Sequence, residues 1–172
     1  MDKNKIRWCC NQDKGISLIE LKPHLSESYI KEADQTLETV LNVKGKWKVI
    51  TGYYACYNAL YSILMKCGIK SEIHECSIEL MELFGFSNDE IDYMRKLKED
   101  RIQTQYYLKE IFLKDEKEVK RFILKCKEIL NGLSSNKIEE IRDKIRLIEN
   151  LKEFYFLVIK WHSVLGVKAE GI

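Results

Sequence analysis

Residues 47–67 read WKVITGYYACYNALYSILMKC, and Gly68 follows. From Val49 to Met65 there is no charged residue, and no polar face survives on a helical projection, as expected where a helix is surrounded by others. Glycine at the end supplies the stop. The stretch is short for a bilayer and carries Thr51, Asn58, Ser62 and four tyrosines, so a buried hub helix explains it and no membrane span is expected.

Working outward, Ile30, Ala33, Leu37, Val40 and Leu41 follow three-and-four spacing and predict an amphipathic helix over Tyr29 to Leu41, ended by Lys44 and Gly45. On the other side, a turn of Lys70, Ser71 and Glu72 precedes a short helix over Cys76 to Phe84. Ser87 with Glu90 forms a capping box opening a long helix, in which Met94, Leu97, Arg101, Gln105, Leu108 and Phe112 repeat at helical spacing. Asp115 caps a fifth helix with the stripe Val119, Phe122, Ile123, Cys126, Ile129, Leu130 and Leu133. A weaker helix follows, carrying Ile138, Ile141, Ile145 and Ile148. Ser17 to Leu21 and Phe154 to Ile159 each read as a short strand, which could pair across the bundle's end, while Phe154 to Trp161 reads equally well as part of a terminal helix.

The expected architecture is therefore an all-α, up-and-down helical bundle of about five core helices, with short terminal strands or an extra C-terminal helix. Its parts are a leader over 1–24, a bundle over 25–133 and an appendage over 134–172. Composition agrees: 172 residues suit one compact domain, and one proline with eight glycines leaves few helix breaks. With 29 basic against 27 acidic residues, the net charge of +2 provides no bulk field toward DNA or an anionic membrane. Nucleic-acid binding must be local. The opening MDKNKIRWCC lacks the apolar run of a secretory signal, and none of the six cysteines forms a CxxC pair, so reduced thiols in a cytoplasm and no zinc knuckle are expected.

Phosphate-loop, dinucleotide, zincin and nucleophile-elbow motifs are missing, and the three histidines are far apart, so most standard enzyme classes lose support. No cofactor or metal site is expected. Arg101 shares the stripe of Met94 and Leu97 and so points toward the bundle or a partner, where a desolvated guanidinium needs company. It either pairs with a core carboxylate, reaches solvent along its stem, or forms an anion or phosphate site with hydrogen bonds and a stacking surface from Gln105, Tyr106 and Tyr107. Tyr53, Tyr57 and Tyr61 lie one turn apart beside Tyr54 and Asn58, as packing or as a base-stacking face. His74 reads as a loop or capping residue, or as a catalyst.

The order GYYACYNALYSILMKCGIKSEIH then DRIQTQYY resembles the HEPN domain superfamily, in particular the archaeal single-domain HEPN proteins. Tyr53, Tyr54 and Ala55 match its YYA motif, Gly68 and His74 its glycine and basic turn, and Arg101 its later arginine. RWCCNQDKGISLIEL and LSESYIKEADQTL match its leader and first helix, so the resemblance spans residues 5–133. It implies an antiparallel bundle assembled as a symmetric homodimer around a cleft. It also implies metal-independent endoribonuclease chemistry in many members, including toxins neutralised by a partner nucleotidyltransferase. There an arginine is followed by a histidine after four to six residues, but here the positions are Tyr106, Tyr107 and Leu108. A phenol with a pKa of about 10 is a poor general base near neutral pH. The expectation is a non-catalytic binding module for a nucleotide, single-stranded RNA or a nucleotidyltransferase-type partner, lined by Arg101, Gln105, Tyr106, Tyr107, Tyr53, Tyr57 and Asn58. An active ribonuclease with His74 as its base, and a purely structural subunit, are the alternatives.

Overall fold

The computed structural model describes residues 3–113 and 115–148. Among them the order is α1 (Lys3–Asn11), β1 (Ser17–Leu18), α2 (Pro23–Asn42), α3 (Lys46–Lys66), β2 (Ile69–Lys70), α4 (His74–Glu79), a 3-10 turn (Met81–Phe84), α5 (Asn88–Tyr106) and α6 (Glu116–Gly132). A further helix, α7, occupies residues 135–148. The described residues form an all-α bundle with one two-stranded ribbon.

The hub forms as its sequence dictates. Tyr53, Ala55, Cys56, Ala59, Leu60, Ile63 and Leu64 of α3 are all fully buried, because neighbours cover it on every side. α2 returns against it, and the amide of Lys22 donates to the Met65 carbonyl at 3.2 Å. α6 runs alongside it in the same direction, tied by Lys48 to Glu116 at one end and by Lys66 Nζ to the Leu130 carbonyl, 3.1 Å, at the other. α5 runs back, so that Arg101 meets Tyr54 and Thr104 comes beside Lys46. The up-and-down order therefore holds for α2, α3, α5 and α6.

Several boundaries differ from expectation. α2 starts at Pro23 rather than Tyr29, since proline at the first helical position arrives with the right φ and no amide to satisfy. The third helix divides into α4 and the 3-10 turn. α5 keeps its capping box, with the Glu90 amide 3.3 Å from Ser87 Oγ and the Ser87 amide 2.7 Å from Glu90 Oε2. It does not extend to Phe112, however: Leu108 turns left-handed at φ 54°, and Leu108 and Phe112 are exposed. Asp115 caps α6 as expected, accepting from the Lys117 amide at 2.8 Å.

The ends of the chain bring the largest corrections. Ser17 and Leu18 pair antiparallel with Lys70 and Ile69, so the first strand's partner is the segment following α3. The strand or helix expected over Phe154 to Ile159 lies outside the described residues. The leader contains a helix, α1, whose Ile6 and Cys9 enter the core. Cys9 and Cys76 form a disulfide, so the expected set of reduced thiols does not hold for this pair.

α7 buries Ile138, Ile141, Ile145 and Ile148 in the same core as the rest. Its Arg142 Nη1 donates to the carbonyls of Cys67 (2.7 Å), Ile19 (3.0 Å) and Gly68 (3.1 Å). A cation thus satisfies the Cys67 carbonyl that the end of α3 would otherwise leave unpaired, while the Gly68 carbonyl also accepts from the Ile19 amide at 2.8 Å. Gly68 makes this approach feasible: its φ is 62°, and a Cβ there would lie 2.4 Å from Arg142 Nη1.

Candidate functional site

The face of α3 turned toward α4 and α5 carries a ladder of tyrosines. Four-residue spacing stacks Tyr53 on Tyr57 and Tyr57 on Tyr61, with ring centroids 5.8 and 5.7 Å apart and planes within 24° and 25°. Tyr29 of α2 closes the far end edge-on, 4.9 Å from Tyr61.

α4 adds a histidine to this ladder. The His74 ring lies 4.0 Å from that of Tyr57, inclined by 18°, and its Nδ1 is 2.6 Å from the Tyr53 hydroxyl. Ser77, one turn later, pairs with the Tyr57 hydroxyl at 3.1 Å. Nε2 is then the His74 nitrogen left for a ligand. The disulfide to α1 holds α4 two residues beyond His74.

α5 supplies the cation. Arg101 Nη2 donates to the Tyr54 hydroxyl, and the guanidinium carbon lies 5.6, 5.2 and 5.3 Å from the ring centroids of Tyr53, Tyr54 and Tyr106. Such cation–π contacts each contribute about 0.5 to 2 kcal/mol. Arg101 Nε is sealed from solvent and has no hydrogen-bond partner, and among the described residues no carboxylate pairs with Arg101. The nearby Lys98, one turn earlier, is by contrast bound to Glu75 of α4.

Burial pushes the phenols of Tyr53 and Tyr57 well above their ordinary range, helped by Tyr57 in the case of Tyr53 and by Tyr61, Tyr29 and Tyr54 in the case of Tyr57, so both keep their protons. Burial lowers the His74 pKa from its ordinary value, and the positive charges of Arg101 and Lys98 add to that. The imidazole is thus neutral near pH 7. Tyr53 and Tyr57 are buried, so they pack rather than form the base-stacking face the sequence also allowed, and a half-buried guanidinium without a counter-anion beside a neutral imidazole and the exposed Tyr106 ring is chemically suited to hold an oxyanion and to stack a planar group.

Of the residues singled out by the sequence, Tyr53, Tyr57, His74, Arg101 and Tyr106 meet here. Gln105 and Tyr107 are exposed, and they, like Asn58, make no hydrogen bond or ring contact with the cluster. Tyr54 emerges as the hydrogen-bond acceptor for Arg101, a role its place next to Tyr53 did not reveal. Lys98 could have been found from its position one turn before Arg101. Glu75 and Ser77 carried no local signal. Among the described residues no group of three or more His, Cys, Asp or Glu could hold a metal ion, and no helix is long and apolar enough to cross a membrane.

Comparison with known families finds no family model that matches the chain, and comparison with curated proteins finds no match.

Proposed function

We propose that the chain is a HEPN-type binding module that holds a phosphate of single-stranded RNA or of a nucleotide at Arg101, with His74 Nε2 beside it and the exposed ring of Tyr106 for a base. One observation carries the reading: Arg101 is half-buried on three tyrosine rings and lacks a carboxylate partner among the described residues. A charge kept in that state is compensated most directly by an anion. The exposed Tyr106 ring against Arg101 favours a nucleotide or RNA over a protein partner. The YYA segment and the later arginine, two elements of the HEPN resemblance, also converge in this cluster.

A homodimer belongs to the same proposal. Tyr106, Tyr107, Leu108 and Phe112 leave an apolar strip uncovered beside Arg101, which a second copy would bury, and analytical ultracentrifugation tests this. The cytoplasmic compartment belongs to it as well, and the Cys9–Cys76 disulfide weighs against that part, since such bonds are rare in reducing compartments.

One observation favours a second reading, a metal-independent ribonuclease. His74 and Arg101 share Tyr53 as a neighbour, and a neutral imidazole could take the proton of a 2′-hydroxyl. The two readings separate when short single-stranded RNA is incubated in chelator with wild type, Arg101→Ala and His74→Ala. The expected outcome is binding without cleavage, weakened by Arg101→Ala. Cleavage that disappears in His74→Ala establishes the ribonuclease, and neither binding nor cleavage refutes both.

A further inference from the structure

Arg95, Lys98 and Arg101 follow one another along α5 at intervals of three, so each is the next one's neighbour on the helix surface. The first two each meet an acid of α4. Arg95 Nη2 lies 2.8 Å from Glu79 Oε1, and Lys98 pairs with Glu75. The acids descend in number as the bases ascend, so the pairs form an antiparallel ladder in which Arg101 is the next rung. α4 begins at His74, so the helix runs out before a third acid is reached, and an imidazole stands near Arg101 instead.

This ladder fixes the charge of the candidate site. Arg101 brings one positive charge that no carboxylate opposes among the described residues, and Glu75 cancels that of Lys98. His74 is neutral near pH 7, and Tyr53 and Tyr57 keep their protons. The remaining charges nearby are engaged elsewhere: Glu79 with Arg95 and Lys5, and Asp100 with Lys96. One net positive charge is left, the complement of a singly charged anion. A phosphodiester has one negative charge, whereas a terminal phosphomonoester, with a second pKa of about 6, carries about 1.5 to 2 at neutral pH. That second charge meets Glu75, the residue after His74, whose side chain is only 38% exposed and so is incompletely screened by water.

We propose that Glu75 is a specificity-determining residue: by neutralising Lys98 it sets the site to accept the single charge of a phosphodiester and to refuse the double charge of a terminal phosphomonoester. This rests on the reading of Arg101 as an anion site and adds the charge of the anion that it takes. An ion pair that merely ties α4 to α5 responds differently to mutation. Every variant that breaks a tie weakens both ligands alike, whereas a charge setting can be restored without the pair.

The test titrates the full chain by NMR with adenosine 5′-monophosphate and with its methyl ester on phosphate, two probes with the same base and sugar, at about pH 7.5 and constant ionic strength. Wild type should bind the diester at least about fivefold more tightly than the monoester. Glu75→Gln, which frees the Lys98 charge, should shift that ratio at least about tenfold toward the monoester. Lys98→Met should weaken both probes and keep the diester ahead. The double variant Glu75→Gln with Lys98→Met has no pair but again one net positive charge, and its ratio should return to that of wild type. The proposal is overturned if wild type binds the monoester as tightly as the diester, if Glu75→Gln leaves the ratio unchanged, or if the three variants weaken both probes alike. Arg101→Met separates this from the reading beneath it. If it loses both probes while Glu75→Gln leaves the ratio unmoved, the anion site stands and only the role of Glu75 falls. If wild type binds neither probe, or Arg101→Met binds both as wild type does, the Arg101 reading fails and the role of Glu75 with it.

Discussion

Two half-buried arginines lie toward opposite ends of α3, and their surroundings are not alike. Arg142, at the C-terminal end, gives one nitrogen to three backbone carbonyls and approaches Glu139 at 3.8 Å with another. Arg101, nearer the N-terminal end, has one phenol oxygen to donate to, rests on π faces and leaves Nε unpaired. Lone pairs from the end of a helix complete a guanidinium's hydrogen bonding within the fold, whereas tyrosine faces lodge it and leave its charge uncompensated. The first arginine is part of the architecture. The second has capacity left for a ligand.

The comparison can be broken from the scaffold inward. The largest effect is expected at the Cys9–Cys76 disulfide, which closes a loop across 67 residues and anchors the helix that carries His74. Its reduction should cost about 4 kcal/mol, read from denaturant unfolding with and without a dithiol reductant. Next is Gly68→Ala. The new Cβ would fall 2.4 Å from Arg142 Nη1 and 2.6 Å from the Ile19 carbonyl oxygen at a positive φ, and a loss of about 3 kcal/mol is expected from thermal unfolding. Arg142→Met should cost about 2 kcal/mol by orphaning the Cys67 and Ile19 carbonyls. Arg101→Met, which gives up one hydrogen bond and π contacts but relieves an unpaired donor, should change stability by less than about 1 kcal/mol. Equal losses in the two methionine variants would erase the distinction.

The smallest effect is on pH dependence. His74 has a folded pKa below its ordinary 6.5, so the unfolded chain takes up this proton first as pH falls. The stability owed to the neutral ring is therefore present above about 6.5 and lost as pH drops through the folded pKa. The Tm of wild type should fall more steeply than that of His74→Gln over this range.

The bundle was legible because its signals are local. Apolar continuity marked α3, Ser87 with Glu90 marked the start of α5, and Asp115 marked α6. What stayed hidden depends on contacts distant in sequence. The left-handed turn at Leu108 interrupts a helical periodicity that alone would run on to Phe112. The Cys9–Cys76 bond joins two cysteines whose spacing matches no motif, and the partner of Ser17 and Leu18 lies beyond two helices. At the candidate site, Arg101, His74, Tyr53 and Tyr57 could each be singled out by residue type. Their meeting required knowing that α4 folds back along α3, which no periodicity encodes. The absence of a carboxylate for Arg101 was equally out of reach, since the sequence around it is rich in Asp and Glu.

The most direct test of the central claim is the affinity of a fluorescently labelled single-stranded RNA for wild type and for Arg101→Met, by anisotropy, with folding of both checked by circular dichroism. The account predicts binding by the wild type, and at least about tenfold weaker binding by a variant whose thermal stability is nearly unchanged. Equal affinities in two folded proteins would contradict it.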